Sequence, residues 1–233
     1  MNIACIFAGG KGTRMTIADR PKQFLEIDNK PILCHTIEHF EKSDNINKIV
    51  VVSAVDWIEY TREIINKYNF KKVDCVIPGG DTALNSQYLG LQAAARLTDD
   101  EDSIVLVHDG VRPLINQKLI DDCIDSVKKH GNGITTAPAI ETITKTDAEG
   151  RIIDIIERSS CQMARAPQAF RLYQLLRCHE KSVGEGTHNF IDSASMMRYY
   201  GMELYTVLGP SDNIKVTTAT DYYICKAMLS RGE

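Results

Sequence analysis

The chain has 233 residues, of which 43% are hydrophobic and 25% charged, and its formal net charge is -4 at pH 7. This composition is typical of a globular protein and excludes a disordered, collagen-like or low-complexity chain. No apolar run approaches the ~18 residues of a membrane span, and the N-terminus lacks the basic segment of a signal peptide. Nucleic-acid-binding domains are usually basic, so we expect neither nucleic acid nor membrane among the partners.

The seven cysteines are scattered along the chain and form no C-x-x-C pair. A zinc ribbon or a thioredoxin-like motif is therefore unsupported. We expect free thiols, as in proteins of the reducing cytoplasm.

Short apolar runs alternate with helical patterns in the first half of the chain. The predicted strands cover residues 3–8, 48–53, 73–77 and 103–108, and the predicted helices begin at Pro31 and cover 56–68 and 82–97. Nearly continuous apolar strands are typical of a parallel sheet that is buried on both faces. Alternation with helices predicts right-handed βαβ crossovers and a three-layer α/β sandwich.

The second half of the chain has a different pattern. Further strands are predicted at 133–138 and 202–208, and further helices at 171–181 and 219–229. Two short runs, 142–145 and 152–157, flank a turn that contains Gly150, which is typical of a β-hairpin. We predict one domain over residues 1–233, with the hairpin projecting as a β-arm at about 139–162.

The strongest chemical signal follows the first strand, where residues 8–15 read AGGKGTRM and residues 21–24 read PKQF. Three glycines in four positions allow backbone N–H groups to approach a bulky anion. Neither the Rossmann nor the P-loop spacing fits. The charged residues of this stretch are Lys11, Arg14, Arg20 and Lys22 against Asp19. This pattern predicts a phosphate-binding loop, and the alternative is a solvated turn.

A second signal, HDGVRP, ends the strand at 103–108 and contains Asp109 and Arg112. An aspartate at the carboxyl edge of such a sheet is a common Mg²⁺ ligand, and Arg112 could pair with it or with a phosphate. The alternative is that Asp109 caps the next helix.

Two weaker signals lie at further loops. Residues 78–82 (PGGDT) predict a second backbone cradle, in which Asp81 or Thr82 could equally be a helix cap. Residues 211–217 add a carboxylate at Asp212 and a cation at Lys215.

Together, AGGKGTRM…PKQF, GGD…NS, HDGVRP, R-A-P-Q-x-F and DNIKVT resemble the polyol-phosphate cytidylyltransferases, over residues 3 to about 228. The resemblance implies a Rossmann-like nucleotidyltransferase sandwich, with CTP and a polyol phosphate as substrates and Mg²⁺ as cofactor. It also implies a homodimer that forms through the β-arm.

The resemblance further implies roles for individual residues. Catalytic roles fall to Arg14, Lys22 and Lys215. Nucleotide binding falls to Ala8, Gly9, Gly10, Lys11, Gly12, Gly80, Asp81, Ser86 and Arg112. Substrate binding falls to Asp109, Lys215 and, from the arm to a neighbouring subunit, Thr142 and Arg158. The implied metal ligands are Asp109 and Asp212.

Details of the motifs favour one branch of this family. The A-G-G loop and the HDGVRP variant are more similar to the ribitol-5-phosphate branch than to the methylerythritol branch, and Ala166-Pro167-Gln168 in place of T-P-Q is a further departure from the methylerythritol pattern. We therefore expect transfer of CMP from CTP to D-ribitol 5-phosphate. The alternatives are 2-C-methyl-D-erythritol 4-phosphate as acceptor, a sugar-1-phosphate nucleotidyltransferase with another base, and a non-catalytic nucleotide-binding protein.

Overall fold

The computed structural model of the chain describes residues 1–10, 20–187 and 190–230. The strands are β1 (Asn2–Ala8), β2 (Glu26–Ile27), β3 (Lys30–Pro31), β4 (Lys48–Ser53), β5 (Val73–Pro78), β6 (Ile104–Asp109), β7 (Asn132–Pro138), β8 (Ile143–Thr146), β9 (Ile152–Ile156), β10 (Gln162–Arg171) and β11 (Thr206–Leu208). The helices are α1 (Ile32–Lys42), α2 (Ile58–Lys67), α3 (Ala83–Ala95), α4 (Gln117–His130), α5 (Leu172–Gly184), α6 (Ser193–Tyr199) and α7 (Ala219–Leu229).

The main sheet has the strand order β11-β7-β10-β6-β1-β4-β5. All neighbours are parallel except β10, which runs antiparallel to both β6 and β7. The register pairs Phe7 with Asp109 and Ala8 with Ser53. The carboxyl ends of β1, β4 and β6 therefore lie side by side along one edge of the sheet.

Alternate side chains of the central strands enter two separate cores. In β1, Ala4 and Ile6 face a core built with α1, α2 and α4, whereas Ile3 and Cys5 face a core built with α3, α5 and α6. This period of two buries both faces of the sheet, as expected for a parallel sheet between helices. The predicted three-layer α/β sandwich is confirmed.

Two large elements of this sandwich, α4 and β10, were missing from the predicted set. Helix α4 has an N-cap at Asn116 and a left-handed C-cap at Gly131, so its boundary signals are present in the sequence. Strand β10 contains Pro167, which has no N–H to donate, and its pairing with β7 shifts register between Ala164 and Gln168. Pro167 argued against a strand in the sequence, but β10 accommodates it at the irregularity, where the regular ladder of hydrogen bonds is interrupted.

The predicted hairpin is present as β8 and β9, a two-stranded sheet separate from the main one. Gly150 has a φ of 82°, and the Asp147 carboxylate accepts hydrogen bonds from the backbone N–H groups of Glu149 and Arg151 at 3.1 and 2.9 Å. Every residue from 148 to 160 is exposed in the single chain. The β-arm is built around this hairpin.

All seven cysteines are free, and four of them are buried. Within residues 1–10, 20–187 and 190–230, no helix is long and apolar enough to cross a membrane.

Candidate active site

The backbone loop after β1 is hydrogen-bonded to the side chain of Gln23, which is buried with 1% of its surface exposed. Its Nε2 donates to the carbonyl oxygens of Ala8 at 2.6 Å and Gly10 at 3.1 Å. Gln23 lies in a 3-10 turn, Lys22–Phe24, whose Phe24 ring stacks on Trp57 at 5.0 Å. The glycines at the strand end are therefore fixed to the core by a buried amide. Gln23 belongs to the PKQF motif, but no role was predicted for it.

Lys22 is placed beside the same glycines by this turn. Its Cε lies 3.9 Å from the position that a Cβ on Gly10 would occupy. A Cβ at residue 10 would thus be in ordinary van der Waals contact with the lysine side chain. The predicted residues Lys11, Gly12 and Arg14 lie outside the described residues.

The second cradle, after β5, is closed by a short hydrogen-bond chain. The N–H of Gly79 donates to Ser53 O at 2.8 Å, and the N–H of Gly80 donates to Ser86 Oγ at 3.0 Å. Thr82 is the N-cap of α3, so the helix-cap alternative holds for that residue. Asp81 is exposed beside the loop. Gly80 and Ser86, both predicted to bind nucleotide, form one rigid turn.

Asp109, at the end of β6, joins two segments that are distant in sequence. Its Oδ2 accepts from Arg112 Nε at 2.8 Å and its Oδ1 from Lys215 Nζ at 2.7 Å. The residue that caps α4 is Asn116, whose Oδ1 accepts from the N–H of Leu119 at 2.9 Å. The alternative role of Asp109 as a helix cap is therefore wrong.

The charge state of Asp109 follows from these partners. Partial burial would raise the pKa of its carboxyl, but Lys215 and Arg112 together lower that pKa to about 2. The carboxylate is thus ionised at neutral pH, with 28% of the side chain exposed. An ionised and partly open carboxylate can hold a cation as well as the two side chains.

His108 precedes Asp109, but its side chain is buried and contacts the backbone of Arg112. Its side chain is 1% exposed, its Nε2 donates to Arg112 O at 3.1 Å, and burial lowers its pKa to about 4. A neutral imidazole that is held by a backbone carbonyl orients the Arg112 loop. His108 is therefore a positioning residue and is not placed to act as a general base.

Asn213 connects the loop of Lys215 to β10. It is completely buried, and its Nδ2 donates to Ala166 O at 2.7 Å. Its backbone oxygen accepts from Arg112 Nη1 at 2.9 Å and from Arg165 Nη1 at 2.5 Å. Asn213 and Arg165 belong to sequence motifs, but no role was predicted for either. Nothing in a linear pattern shows that two arginines share one carbonyl oxygen.

Three further predicted residues make no ion pair with this cluster among the described residues. Asp212 is half-buried, precedes Asn213, and raises the pKa of Arg165 by its charge. Thr142 and Arg158 lie on the β-arm and are exposed, and Arg158 Nη1 donates to Ile140 O at 3.3 Å. Their predicted contact with the substrate of a neighbouring subunit stays a prediction.

The donor set suits one kind of metal site. Among the described residues, no group of three or more His, Cys, Asp or Glu side chains could enclose a metal ion. Mg²⁺ is usually bound by one or two carboxylates together with substrate phosphates, rather than by a cage of protein ligands. The ionised Asp109 fits such a shared site.

The fold and the loops define a class of protein. Solved structures with the same fold include the 4-diphosphocytidyl-2C-methyl-D-erythritol synthase of Anaerococcus prevotii, with a TM-score of 0.85 and 24% identity over 99% of this chain and 98% of that one. A second is the 2-C-methyl-D-erythritol 4-phosphate cytidylyltransferase of Francisella tularensis, with a TM-score of 0.77 and 28% identity over 97% and 100% of the two chains. The fold is that of the α/β nucleotidyltransferases.

Curated relatives extend the similarity to the full length of the chain. The ribitol-5-phosphate cytidylyltransferase of Vibrio parahaemolyticus is 45% identical over 100% of this chain and 98% of its own. That of Streptococcus agalactiae is 42% identical, covering 100% and 97%. The 2-C-methyl-D-erythritol 4-phosphate cytidylyltransferase of Clostridium botulinum is 34% identical, covering 99% and 98%.

A family model, IspD: 2-C-methyl-D-erythritol 4-phosphate cytidylyltransferase, matches residues 2–231. The chain belongs to this family, and its enzyme class is that of the cytidylyltransferases. The resemblance found in the sequence motifs is confirmed.

Replacing Asp109 tests the electrostatic role of this carboxylate. Asp109→Asn keeps the shape but leaves Arg112 and Lys215 without their shared anion, so we expect the free energy of unfolding at pH 7 to fall by about 1–3 kcal/mol. The folded pKa of about 2 lies below the unfolded value of about 3.9, so the contribution is complete above about pH 5. It decreases as the pH falls toward 2, and about half is lost by pH 3.

Urea unfolding at pH 7 and pH 3 measures this contribution. The matched control is Asp125→Asn on α4, because Asp125 is exposed and pairs only with Lys128. If both variants lost equal stability, or if the loss in Asp109→Asn did not shrink with falling pH, the ion-pair account of Asp109 would be wrong.

Proposed function

We propose that the protein transfers CMP from CTP to D-ribitol 5-phosphate and releases CDP-ribitol and pyrophosphate. The observation that carries this proposal is the sequence identity of 42–45%, over the full length, to two ribitol-5-phosphate cytidylyltransferases. The identity to a 2-C-methyl-D-erythritol 4-phosphate cytidylyltransferase is 34%. The departures of the motifs from the methylerythritol pattern point the same way.

The reaction needs no general base. The second pKa of a phosphate monoester is near 6, so the acceptor is mostly a dianion at neutral pH. One of its oxygens forms a bond to the α-phosphorus of CTP, and the bond from that phosphorus to the bridging α–β oxygen breaks. Pyrophosphate leaves with that electron pair, so atoms and charge balance. The neutral, backbone-held His108 agrees with a site that moves no proton.

The main obstacle is repulsion between two anionic substrates. Two unit charges about 4 Å apart interact by roughly 4 kcal/mol at an effective dielectric constant near 20. Lys22, Arg112 and Lys215 are among the described cations at this edge of the sheet. Catalysis is then positioning plus electrostatic stabilisation of the transition state, in which Arg14 is the further predicted cation.

The nucleotide is assigned to the glycine loops. The turn of Gly80 and Ser86 and the loop of Ala8, Gly9 and Gly10 expose backbone near the ends of β5 and β1. Backbone groups held in this way can contact a base and a ribose directly, because glycine places no side chain between the backbone and the ligand. The triphosphate then extends toward Lys22 and Asp109.

Steady-state pyrophosphate release tests the acceptor. With CTP, we expect kcat/KM for D-ribitol 5-phosphate to exceed that for 2-C-methyl-D-erythritol 4-phosphate by at least about tenfold. UTP, GTP and ATP in place of CTP should give much lower rates. A preference for the methylerythritol substrate would assign the protein to that branch, and CTP binding without turnover on any acceptor would contradict the enzymatic proposal.

Lys22 tests the transition-state role of the first loop. We expect Lys22→Ala to lower kcat by about 10²–10³, because a preorganised cation acts where charge develops. Lys42→Ala, an exposed lysine paired with Glu38 on α1, is the control and should leave kcat unchanged. Unfolding midpoints show whether both variants fold. Near-normal turnover of folded Lys22→Ala would exclude this role.

We propose Mg²⁺ as cofactor, held by Asp109 and by the phosphates of CTP, with Asp212 as the second predicted ligand. When bound, it supplies positive charge that lowers the repulsion between the substrates. We expect excess EDTA to abolish pyrophosphate release and added Mg²⁺ to restore it, whereas Asp109→Asn should require a higher Mg²⁺ concentration. Full activity in excess EDTA would contradict this cofactor.

We propose further that the protein is a homodimer in which the β-arm reaches the partner. The arm exposes several isoleucines in the single chain, including Ile140 at 73%, Ile153 at 56% and Ile155 at 64%. Apolar side chains grouped in this way are typical of an interface. Thr142 and Arg158 on the same arm would then complete the partner's acceptor site.

The free cysteines support a cytoplasmic location.

Mixing two inactive variants tests this shared site. In a dimer of Lys22→Ala with Arg158→Ala, one site carries both lesions and the other carries none. After equimolar subunit exchange, half of the dimers are mixed, so we expect about a quarter of the wild-type activity. Sedimentation before mixing should show dimers for both variants. No recovery after demonstrated exchange would mean that each site is built from one chain.

A further inference from the structure

Arg165 is a half-buried cation that has no part in the chemistry proposed for Lys22, Arg112 and Lys215. It lies in β10, and its Nη1 donates to Asn213 O at 2.5 Å. It makes no ion pair with any carboxylate in the described part of the chain, whereas Arg112 and Lys215 both share Asp109. Half-buried arginines usually have a carboxylate or phosphate partner, but in the described part of the chain the charge of Asp212 acts on this guanidinium only without an ion pair.

The surroundings of Arg165 are unfavourable to its charge in the free protein. Burial lowers the pKa of Arg165, Arg112 lowers it further, and Asp212 partly compensates. The two arginines meet at one backbone oxygen, which brings two like charges close together. A dianion bound between them would remove both costs.

The topology places Arg165 on one side of the catalytic edge. Strand β10 is the neighbour of β6 on the side opposite β1, whereas the glycine loops follow β1 and β5. Because β10 is antiparallel to β6, its first residues lie at the carboxyl edge, and they follow directly from the β-arm. Arg165 therefore lies between Asp109 and the root of the arm, away from the nucleotide cradles.

We propose that Arg165 is a substrate-binding residue whose guanidinium binds the phosphate of the polyol phosphate acceptor. This proposal rests on the proposed function and names the group that holds its second substrate. Asn213 fixes Nη1 through its backbone oxygen, and no other residue of the described ranges accepts a hydrogen bond from this planar fork, so its other N–H groups can donate to phosphate oxygens. Asn213, anchored to Ala166, is the positioning residue for this contact.

Separate titrations of the two substrates test the assignment. For Arg165→Gln, we expect the KM for D-ribitol 5-phosphate to rise about tenfold to a hundredfold, with the KM for CTP changed less than about threefold. Arg165→Lys should give an intermediate KM, since it keeps the charge but loses the fork. A rise confined to the KM for CTP would place Arg165 on the triphosphate, and no rise in either KM would leave it without a substrate role. Both results overturn the proposal.

A binding measurement separates failure of this assignment from failure of the proposed function. Calorimetric titration of D-ribitol 5-phosphate, and of inorganic phosphate, into wild-type protein and Arg165→Gln needs no turnover. Weaker binding of both ligands to the variant supports a phosphate contact, even if the favoured acceptor is another polyol phosphate. Equal binding to both proteins overturns the contact, even if the wild-type enzyme turns over.

Two controls guard against a merely structural effect. Arg177→Gln removes an exposed arginine of α5 that pairs with Glu101 and should leave both KM values unchanged. Calorimetric CTP affinity and the unfolding midpoint should be unchanged in Arg165→Gln. If Arg165→Gln is unstable, Arg165→Lys carries the test. A KM for the acceptor equal to that of the wild-type protein in Arg165→Lys then overturns the proposal.

Discussion

The candidate site depends on one carboxylate that two cations share. Asp109 ends a central strand, and its contacts with Arg112 and Lys215 tie the β6 loop to a segment more than a hundred residues later. Because these cations lower the pKa of Asp109 to about 2, the site keeps a fixed negative charge among positive ones. The position of Lys215 and the orientation of Arg112 both follow from this single group.

Net charge and local charge have opposite signs in this protein. The chain carries -4 overall, yet Arg112 and Lys215 both contact Asp109, and Lys22 lies beside Gly10 at the end of the neighbouring strand. Acidic residues elsewhere are solvated and screened, since a Debye length is about 8 Å at physiological ionic strength. An acidic protein can thus gather cations at the edge of the sheet where anionic substrates of its family would bind.

The parts of this fold that could be predicted from sequence are those with local signals. Continuous apolar runs located β1, β4, β5 and β6, and glycine-rich loops after them located the catalytic edge. Strand β10 was missed because Pro167 contradicts strand propensity and only tertiary pairing overrides it. Gln23 and Asn213 were missed for a related reason: the side-chain amide of each donates to a backbone carbonyl of another segment, and no residue pattern encodes such a partner.

The reversed direction of β10 has a geometric consequence for how substrates are combined. Strand β7 ends at the carboxyl edge of the sheet, and a parallel strand in the place of β10 would begin at the opposite edge, so the chain between them would have to cross the sheet. Because β10 is antiparallel, both ends of the β-arm lie at the edge where β1 and β6 end. The scaffold can therefore keep its glycine loops constant while the β-arm and the first residues of β10 vary.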